Sequence, residues 1–374
     1  MDQAALTHNI DRMARFSADH HVSLAPHAKT TMAPDILARQ LDAGAWGLTV
    51  ATLNQAQVCR RFGVRRLLLA NQIVDGAAIG WLAAELRDHP QFELVCYVDS
   101  VQGVGLLDHA IVASGGLGGR RLGVLVELGH SGGRTGCRTE QVAASVTEAV
   151  RSSRTLHVAG VAGYEGGLGR DRSPVAVAAV RGFCQQLVDL AALAAPAADN
   201  GVPFLVSAGG SAYPDVVTDA LGKCADWATV VLRSGCYVTH DDGVYSRVSP
   251  FTGAAASPYA LTAALRLWAP VLSRPEPGLA IVGAGRRDAG FDQGFPVPLL
   301  RRCGDGAIIA LEDGRLTRLD DQHGYLELPD ATGLEVGDLV GLGVSHPCTT
   351  VDRWPYLVEV DAVHRVTGVF PTFF

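Results

Sequence analysis

Residues 23–32 read Ser-Leu-Ala-Pro-His-Ala-Lys-Thr-Thr-Met, which contains a short apolar run ending at Lys29. Residues 34–41 follow with apolar positions at helical spacing, so the pattern predicts a strand that leads into a helix. In an α/β barrel, catalytic side chains collect where the strands end. Lys29 is one of only two lysines in the chain, Lys223 being the other. A lysine amine in a partly apolar site can attack a carbonyl to form a Schiff base, and the alternative is an ordinary surface lysine.

The same alternation of strand and helix continues to about residue 240. Apolar runs typical of strands occupy residues 22–28, 46–51, 66–71, 92–98, 121–128, 156–164, 203–208 and 229–235. Helical spacing of apolar residues marks segments between them, at residues 54–62, 78–87, 140–152, 175–193 and 214–221. Eight strands separated by helices predict a closed (β/α)8 barrel, because an open doubly wound sheet normally uses fewer strands.

The pattern changes after residue 245, where helical spacing gives way to short alternating strands. These predicted strands cover residues 261–268, 279–282, 307–311, 325–328, 338–342 and 356–364. Residues 312–314, Glu-Asp-Gly, are typical of a hairpin turn. We therefore expect two domains, a barrel over residues 1–248 and a mainly antiparallel β domain over residues 249–374. Residues 249–253 are the expected linker.

The composition excludes several classes of protein. The 374 residues carry a net charge of −7, and no basic stripe alternates with aromatic residues, so nucleic acid is not an expected partner. No apolar run approaches membrane-spanning length, and the first residues lack the basic and apolar regions of a secretory signal. The eight cysteines show no paired spacing, as in proteins of a reducing compartment. We expect a soluble cytoplasmic enzyme with no membrane contact.

Two clusters of glycine and serine follow the seventh and eighth predicted strands. One covers residues 207–211 and includes Gly210 and Ser211, and the other covers residues 233–237 and includes Gly235 and Cys236. Backbone N–H groups in such loops bind phosphate, and these two strands are the usual place for it in a barrel. Glycine also serves ordinary turns, so one cluster alone would indicate little. A lysine and a phosphate loop in one barrel suggest pyridoxal phosphate.

Two further side chains lie at the ends of predicted strands. Arg134 belongs to residues 127–136, Glu-Leu-Gly-His-Ser-Gly-Gly-Arg-Thr-Gly, which end the fifth strand. It could face the phenolic oxygen of the cofactor, and a solvated loop arginine is the alternative. Tyr164 ends the sixth strand and is a candidate contact for the cofactor ring. The alternative is a buried tyrosine that only packs, with its hydroxyl satisfied.

Residues 345–350 read Ser-His-Pro-Cys-Thr-Thr and place an imidazole and a thiol two residues apart, at His346 and Cys348. In an extended segment both side chains would point to the same face and could bind one ion. Nitrogen and thiolate sulfur suit zinc better than magnesium, calcium or manganese. Two protein ligands leave positions open for water and substrate, as a catalytic metal requires. The alternative is a turn without a metal.

Taken together, these motifs resemble the D-serine dehydratase and D-threonine aldolase family. The shared segments are Pro-His-Ala-Lys-Thr-Thr at 26–31, Arg-Thr-Gly at 134–136, Gly-Gly-Ser at 209–211, Ser-Gly-Cys-Tyr at 234–237 and His-Pro-Cys-Thr-Thr at 346–350. Members are fold-type III pyridoxal phosphate enzymes related to alanine racemase, with a barrel followed by a β domain. The chain resembles the bacterial amino acid deaminases in particular.

The resemblance implies a role for each candidate residue. Lys29 would form the Schiff base, and Arg134 and Tyr164 would contact the cofactor. The phosphate would be bound by Ser211, Gly235 and Cys236. His346 and Cys348 would be the metal ligands. Aldolases of the family typically show His-x-Asp, which suits manganese or magnesium, whereas dehydratases show His-x-Cys, which suits zinc. Cys348 therefore favours the dehydratase branch.

We accordingly expect a pyridoxal phosphate- and zinc-dependent lyase that converts D-serine or a related D-β-hydroxy amino acid to a 2-keto acid and ammonia. One alternative is a D-threonine-type aldolase that gives glycine and an aldehyde, with manganese or magnesium as its metal. The other is a non-catalytic pyridoxal phosphate carrier, which would need neither a β domain nor a metal pair. The resemblance also implies a homodimer. Family members usually carry some tens of residues ahead of the segment that begins here.

Overall fold

The computed structural model describes residues 1–199, 201–252, 257–329 and 333–374. Its contacts divide the chain into two compact units. The barrel unit comprises Ala14–Lys29 and Leu37–Gly235, and the terminal unit comprises Met1–Met13, Thr30–Ile36 and Cys236–Phe374. Residues 236–248 thus group with the terminal unit, where Asn9 donates to the carbonyl of Val238. The domain boundary between residues 248 and 249 stays a prediction, and residue 253 of the predicted linker lies outside the described residues.

Eight parallel strands form the sheet of the barrel unit, as the sequence predicts. They are β1 Ser23–Leu24, β2 Leu48–Val50, β3 Arg66–Leu69, β4 Glu93–Val98, β5 Leu122–Leu128, β6 Leu156–Gly163, β7 Leu205–Ala208 and β8 Thr229–Leu232. The order is β1-β8-β7-β6-β5-β4-β3-β2. Between the two end strands, the amide of Trp46 donates to Leu24 and that of Thr49 to Pro26, at 2.8 and 2.9 Å. These bonds bring the sheet edges together, and the predicted TIM-like architecture is confirmed.

Helices alternate with the barrel strands along the chain, and α1 precedes β1. They are α1 Gln3–Asp19, α2 Pro34–Asp42, α3 Leu53–Arg61, α4 Gly76–Asp88, α5 Val101–Ala113, α6 Glu140–Arg151, α7 Pro174–Ala194, α8 Pro214–Leu221, α9 Val244–Val248 and α10 Cys348–Val351. Five of the barrel helices begin after a polar side chain that accepts a backbone N–H of the first turn, which satisfies an amide that would otherwise lack a partner. These N-caps are Thr52, Asp75, Ser100, Thr139 and Ser173.

One segment, Pro174–Ala197, is long and apolar enough to cross a membrane by length and composition, which corrects the expectation that no segment approaches that length. In the structure this segment is α7 with the turn that follows it, and it packs against α8 and β6. Val180, Phe183 and Leu187 on its inner side are buried. Core helices of soluble proteins meet the same criterion.

The terminal unit contains a seven-stranded antiparallel sheet and a separate hairpin. Its strands are β9 Arg266–Glu276, β10 Leu279–Val282, β11 Val297–Arg302, β12 Ile308–Ala310, β13 Arg315–Leu319, β14 Gly324–Glu327, β15 Leu339–Gly343, β16 Tyr356–Val360 and β17 Val366–Pro371. The sheet order is β12-β11-β15-β9-β10-β14-β13, and β16 pairs with β17. The mainly antiparallel β fold is confirmed. Residues 312–314 do not close a hairpin, because β12 pairs with β11 and β13 pairs with β14.

Candidate active site

Lys29 follows the first barrel strand, as the sequence predicts, although β1 itself ends five residues earlier, at Leu24. Lys29 lies in a short 3₁₀ turn, Ala28–Thr30, and its side chain is half-buried. Burial lowers the pKa of the neighbouring His27 well below its usual value, and three cations, Lys29, Arg233 and Arg134, lower it further. The end of the barrel therefore gathers positive charge around a neutral imidazole.

Arg134 and Tyr164 come together at this end of the barrel unit. The guanidinium carbon of Arg134 lies 4.3 Å from the centre of the Tyr164 ring, in a cation–π contact. The loop that carries Arg134 is held by Arg138, which donates to the carbonyls of Thr135 at 2.7 Å and Gly136 at 2.8 Å. The structure thus unites two residues that the sequence places in separate loops.

The loop after β7 is fixed by Glu165, a fully buried carboxylate. Its two oxygens accept the amides of Gly209 at 3.0 Å and Gly210 at 2.6 Å. The N–H of Gly210 therefore already donates to Glu165. Because Gly210 has no side chain, a ligand can approach its backbone closely. A Cβ placed there would lie 3.4 Å from the Tyr164 ring. Phosphate binding by Ser211, Gly235 and Cys236 stays a prediction.

Several buried polar atoms at this end lack a hydrogen-bond partner among the described residues: Tyr97 Oη, His27 Nδ1 and Gln72 Oε1. Buried polar atoms are normally satisfied, so such a group indicates a place for a polar ligand. Burial raises the pKa of Tyr97 to about 12, which keeps its hydroxyl protonated as a donor. Arg233 is also buried and donates to Ser207 Oγ at 2.7 Å. Unsatisfied polar atoms beside three cations suit the polar ring and phosphate of pyridoxal phosphate.

His346, in the terminal unit, is oriented by a carboxylate. Its Nδ1 lies 2.8 Å from Asp292, which also accepts a hydrogen bond from Thr349 at 2.7 Å. Partial burial favours a higher pKa for Asp292, but the bonds from Thr349 and His346 outweigh it and the pKa is lowered. A carboxylate on one ring nitrogen leaves the other, Nε2, as the metal-binding atom, which is the usual arrangement of histidine ligands.

Cys348 contacts a second thiol. Its sulfur lies 3.3 Å from that of Cys236 and 3.5 Å from Thr30 Oγ1, all within the terminal unit. The Cys348 contact, supported by Tyr245 and Thr30, lowers the pKa of Cys236 although burial opposes this. Thr30 follows Lys29 in sequence, and Cys236 follows Gly235.

The local conformation at the metal pair differs from the expected one. Residues 346–348 are not extended, because Pro347 has helical backbone angles and Cys348 begins α10. The prediction that His346 and Cys348 point to the same face of an extended segment is therefore wrong. In the described part of the chain, no three His, Cys, Asp or Glu side chains are grouped to hold a metal ion. The donor chemistry of His346 and Cys348 fits a two-ligand zinc site with open positions.

Sequence reasoning missed four residues that the structure adds: His27, Arg233 and Glu165 at the cofactor end of the barrel unit, and Asp292 at the metal pair of the terminal unit. The first three stand within or beside motifs already singled out, so proximity in sequence could have marked them. Asp292 is 54 residues from His346 and belongs to no motif. Only the fold of the terminal unit reveals that contact.

Two family models match the chain. "Alanine racemase, N-terminal domain" covers residues 1–212, and "Putative serine dehydratase domain" covers residues 264–360. Among curated proteins, the chain is 30% identical to D-threo-3-hydroxyaspartate dehydratase of Delftia sp. (strain HT23), over 95% of this chain and 91% of that protein. It is 25% identical to D-threonine aldolase of Arthrobacter sp., over 96% of this chain and 87% of the relative.

Solved structures agree with this placement. The structure of D-threonine aldolase from Filomicrobium marinum superposes with a TM-score of 0.82 at 25% identity, covering 100% of this chain and 93% of that one. These relatives are named lyases of D-amino acids, so the reading as a non-catalytic carrier is set aside. Their family uses pyridoxal phosphate, the cofactor that the barrel end fits. The chain belongs to the alanine racemase-like family of fold-type III pyridoxal phosphate enzymes and is a D-amino acid lyase within it.

Proposed function

We propose that the protein is a zinc-dependent dehydratase that converts D-serine, or a related D-β-hydroxy amino acid, to a 2-keto acid and ammonia. The observation that carries this proposal is the metal pair, in which the thiol Cys348 lies two residues along the chain from an imidazole, that of His346, which a carboxylate orients. A thiolate ligand selects zinc over manganese or magnesium. Zinc is the better Lewis acid for a hydroxyl that must depart.

In the barrel unit, Lys29 is the proposed base. Pyridoxal phosphate, when bound, supplies a ring that withdraws electrons from the α-carbon of the amino acid. The amine of Lys29 then takes the α-proton at its Nζ atom. Arg134 is fixed over the Tyr164 ring, so it can present its charge to the cofactor without reorganising. Tyr97 is a protonated donor at the same end.

In the terminal unit, His346 and Cys348 would hold the metal. Zinc, when bound there, supplies a Lewis acid for the β-hydroxyl of the substrate. Asp292 holds the His346 ring so that Nε2 is available as a ligand. For D-serine, loss of the α-proton and the β-hydroxyl, followed by hydrolysis of the enamine, gives pyruvate and ammonia.

A second candidate is the retro-aldol reaction on the same scaffold. It is favoured by the relatives named D-threonine aldolase and 3-hydroxy-D-aspartate aldolase. That reaction needs a base for the β-hydroxyl proton and keeps the oxygen in the aldehyde product. Our choice of dehydratase rests on sulfur instead of a carboxylate at residue 348.

Product analysis distinguishes the two reactions. Purified protein loaded with pyridoxal phosphate and zinc is incubated with D-serine, D-threonine and 3-hydroxy-D-aspartate. The last is included because the names of two relatives give it as their substrate. We expect a keto acid and ammonia in equal amounts. The L-isomers of the three amino acids should not react. Glycine and an aldehyde as the main products would establish the aldolase and overturn the dehydratase. The preferred substrate of the three identifies the side chain at the β-carbon.

We also propose a homodimer, since alanine racemase-like enzymes close their sites between two subunits. Light scattering at micromolar concentration is expected to give twice the chain mass. A monomer with full activity would contradict the proposal.

A further inference from the structure

Two thiols of the terminal unit are close enough to react with each other. The sulfur atoms of Cys236 and Cys348 lie 3.3 Å apart, and neither cysteine is in a disulfide. An S–S bond is about 2.05 Å long, so the sulfurs need to approach by only about 1.2 Å to form one. In the part of the chain that the structure describes, the other six cysteines form no hydrogen bond between thiols. This contact therefore distinguishes one pair from the rest.

Backbone hydrogen bonds hold the two segments that carry these thiols side by side. The amide of Asp242 donates to the carbonyl of Val344 at 3.1 Å, and the amide of Val244 donates to the carbonyl of Ser345 at 3.2 Å. A Cβ at Gly243 would lie 2.4 Å from the Cα of Ser345, so glycine permits this close approach. The sulfurs can therefore approach by side-chain rotation, while the backbone keeps its place.

The two sulfurs differ in access to solvent. Cys236 is only 6% exposed, whereas Cys348 has intermediate exposure. Thr30 Oγ1 lies 3.5 Å from the sulfur of Cys348 and 3.8 Å from that of Cys236, so its hydroxyl can donate to a thiolate at either position. A small oxidant in solution would reach Cys348 first, with Cys236 directly behind it.

We propose that Cys236 and Cys348 are a modification site, at which a hydroperoxide produces a disulfide and thereby withdraws Cys348 from the metal pair. The disulfide follows from the contact between the thiols and from the fixed backbone around them. Its effect on metal binding rests on the proposed function, in which Cys348 is a zinc ligand.

The chemistry uses one hydroperoxide for two thiols. The thiolate of Cys348 attacks a peroxide oxygen, so that an S–O bond forms and the O–O bond breaks, and the departing hydroxide takes the thiol proton as water. The sulfur of Cys236 then attacks the sulfur of Cys348. The S–S bond forms, the S–O bond breaks, and the second hydroxide leaves as water with the proton of Cys236. The two sulfurs lose two electrons, and hydrogen peroxide is reduced to two molecules of water.

Peptide mapping tests the site directly. The protein is loaded with pyridoxal phosphate, freed of metal by chelation and desalting, and treated with one equivalent of hydrogen peroxide. The remaining thiols are alkylated in denaturant, and the chain is digested with trypsin without reduction. Cleavage after lysine and arginine gives residues 234–247 and 319–353, each with a single cysteine. We expect these two peptides to be linked, two of the eight thiols to be lost, and both to return with dithiothreitol.

Zinc provides a second measurement. A thiolate that binds zinc cannot attack the peroxide, so zinc at ten times its Kd should slow the loss of thiols about tenfold. In the reverse direction, the oxidised protein should bind zinc about as weakly as Cys348→Ala does, as measured by competition with a chelator. Both effects should disappear once dithiothreitol has reduced the disulfide.

Two variants identify the partner thiol. Cys236→Ser removes the thiol that attacks Cys348, so peroxide should leave a sulfenic acid at Cys348 that dimedone traps, and no linked peptides should appear. Cys303→Ser is the matched control, because Cys303 also has intermediate exposure and lies outside the pair. It should form the disulfide at the wild-type rate. Thermal melts establish that both variants are folded, and the wild-type peptide map decides if Cys236→Ser is not.

Retention of all eight thiols would overturn the proposal, and so would oxidation of Cys348 while Cys236 remains a thiol. A link between two chains, seen as a doubled mass on a non-reducing gel, would also overturn it. Linked peptides that form equally fast with zinc would confirm the disulfide and contradict Cys348 as a metal ligand. The disulfide and the dehydratase are therefore tested separately, because the peptide map requires no turnover.

Discussion

The cofactor end of the barrel unit and the metal pair of the terminal unit are built in different ways. At the cofactor end, residues from many strands are fixed by buried carboxylates: Glu165 accepts two loop amides, and Glu127 accepts Gln72 Nε2 at 2.6 Å. At the metal pair, both candidate ligands lie within three residues of sequence, and one carboxylate, Asp292, orients the histidine.

This difference bears on how each region depends on its ligand. The cofactor end keeps its shape through hydrogen bonds between protein groups, so we expect it to bind pyridoxal phosphate whether or not a metal is present. The metal pair has few supports, so we expect single substitutions to change metal binding strongly.

The largest effect is expected at Lys29. Lys29→Ala should lower keto acid formation by a factor of about 10²–10⁴, because the base for the α-proton is lost. Lys223→Ala is the matched control: the other lysine contacts Gln185 on the exposed surface and should retain full activity. Borohydride reduction followed by peptide mapping should find the cofactor on the peptide with Lys29. Label on Lys223 would contradict the assignment.

Next is the thiol of the metal pair. Cys348→Ala removes one of two protein ligands and should cost several kcal/mol in zinc binding, measured by competition with a chelator. Cys303→Ala, a cysteine of intermediate exposure outside the motif, is the control. Cys348→Asp supplies oxygen in place of sulfur, so its residual activity should depend more on manganese than on zinc. Unchanged zinc affinity in Cys348→Ala would remove residue 348 from the site.

Asp292 should have a smaller effect, since it contacts the metal only through His346. Asp292→Asn is expected to lower zinc affinity 10–100-fold, the usual consequence of losing a carboxylate behind a histidine ligand. Asp321→Asn, at an exposed carboxylate, is the control. The visible spectrum of the bound cofactor should be the same in both. A change in the cofactor spectrum without a change in zinc affinity would contradict the placement of Asp292 behind the metal ligand His346.

The smallest effect on catalysis is expected from a buried carboxyl of the terminal unit, which instead makes stability depend on pH. Burial raises the pKa of Asp241 to about 7, although Oδ1 accepts the amides of Gly243 and Tyr245. The unfolded chain loses this proton near its ordinary pKa of 3.8, so between about pH 4 and pH 7 the folded state holds the additional proton. The free energy of unfolding should therefore fall as pH rises through this range.

Asp241→Asn tests that expectation, because the amide is neutral at every pH. At pH 8 the variant should have a free energy of unfolding higher than that of the wild type by roughly a few kcal/mol, measured by denaturant titration. The difference should shrink toward pH 4. Parallel stability curves for the two proteins would show that Asp241 is not buried as a neutral acid.

The barrel was predictable because its strands repeat one local pattern. All eight predicted strands are present, but β1 and β2 are shorter than the apolar runs at 22–28 and 46–51. The runs continue past the ends of the strands into loops, as at His27. The terminal sheet was predicted less completely. β11 contains Pro298 and two arginines, and β13 reads Arg-Leu-Thr-Arg-Leu, so neither shows a clear apolar alternation.

The residues of the candidate site also divide into those that the local sequence pattern reveals and those that only the fold reveals. Lys29, Arg134 and Tyr164 could be found because the ends of parallel strands share one edge. Glu165 and Asp292 could not be assigned roles, because each acts through a partner distant in sequence, Gly210 and His346. The thiol contact of Cys236 with Cys348 spans 112 residues and depends wholly on the fold.

The central claim is that the metal pair serves elimination, whereas the barrel end holds the cofactor independently of metal. One experiment tests both parts on the same samples: keto acid formation from D-serine and visible cofactor absorbance, before chelation, after chelation and after addition of zinc. We predict that chelation abolishes keto acid formation, leaves the absorbance unchanged, and is reversed by zinc in the wild type but not in Cys348→Ala. Equal keto acid formation in native, chelated and Cys348→Ala protein would contradict a catalytic metal at His346 and Cys348.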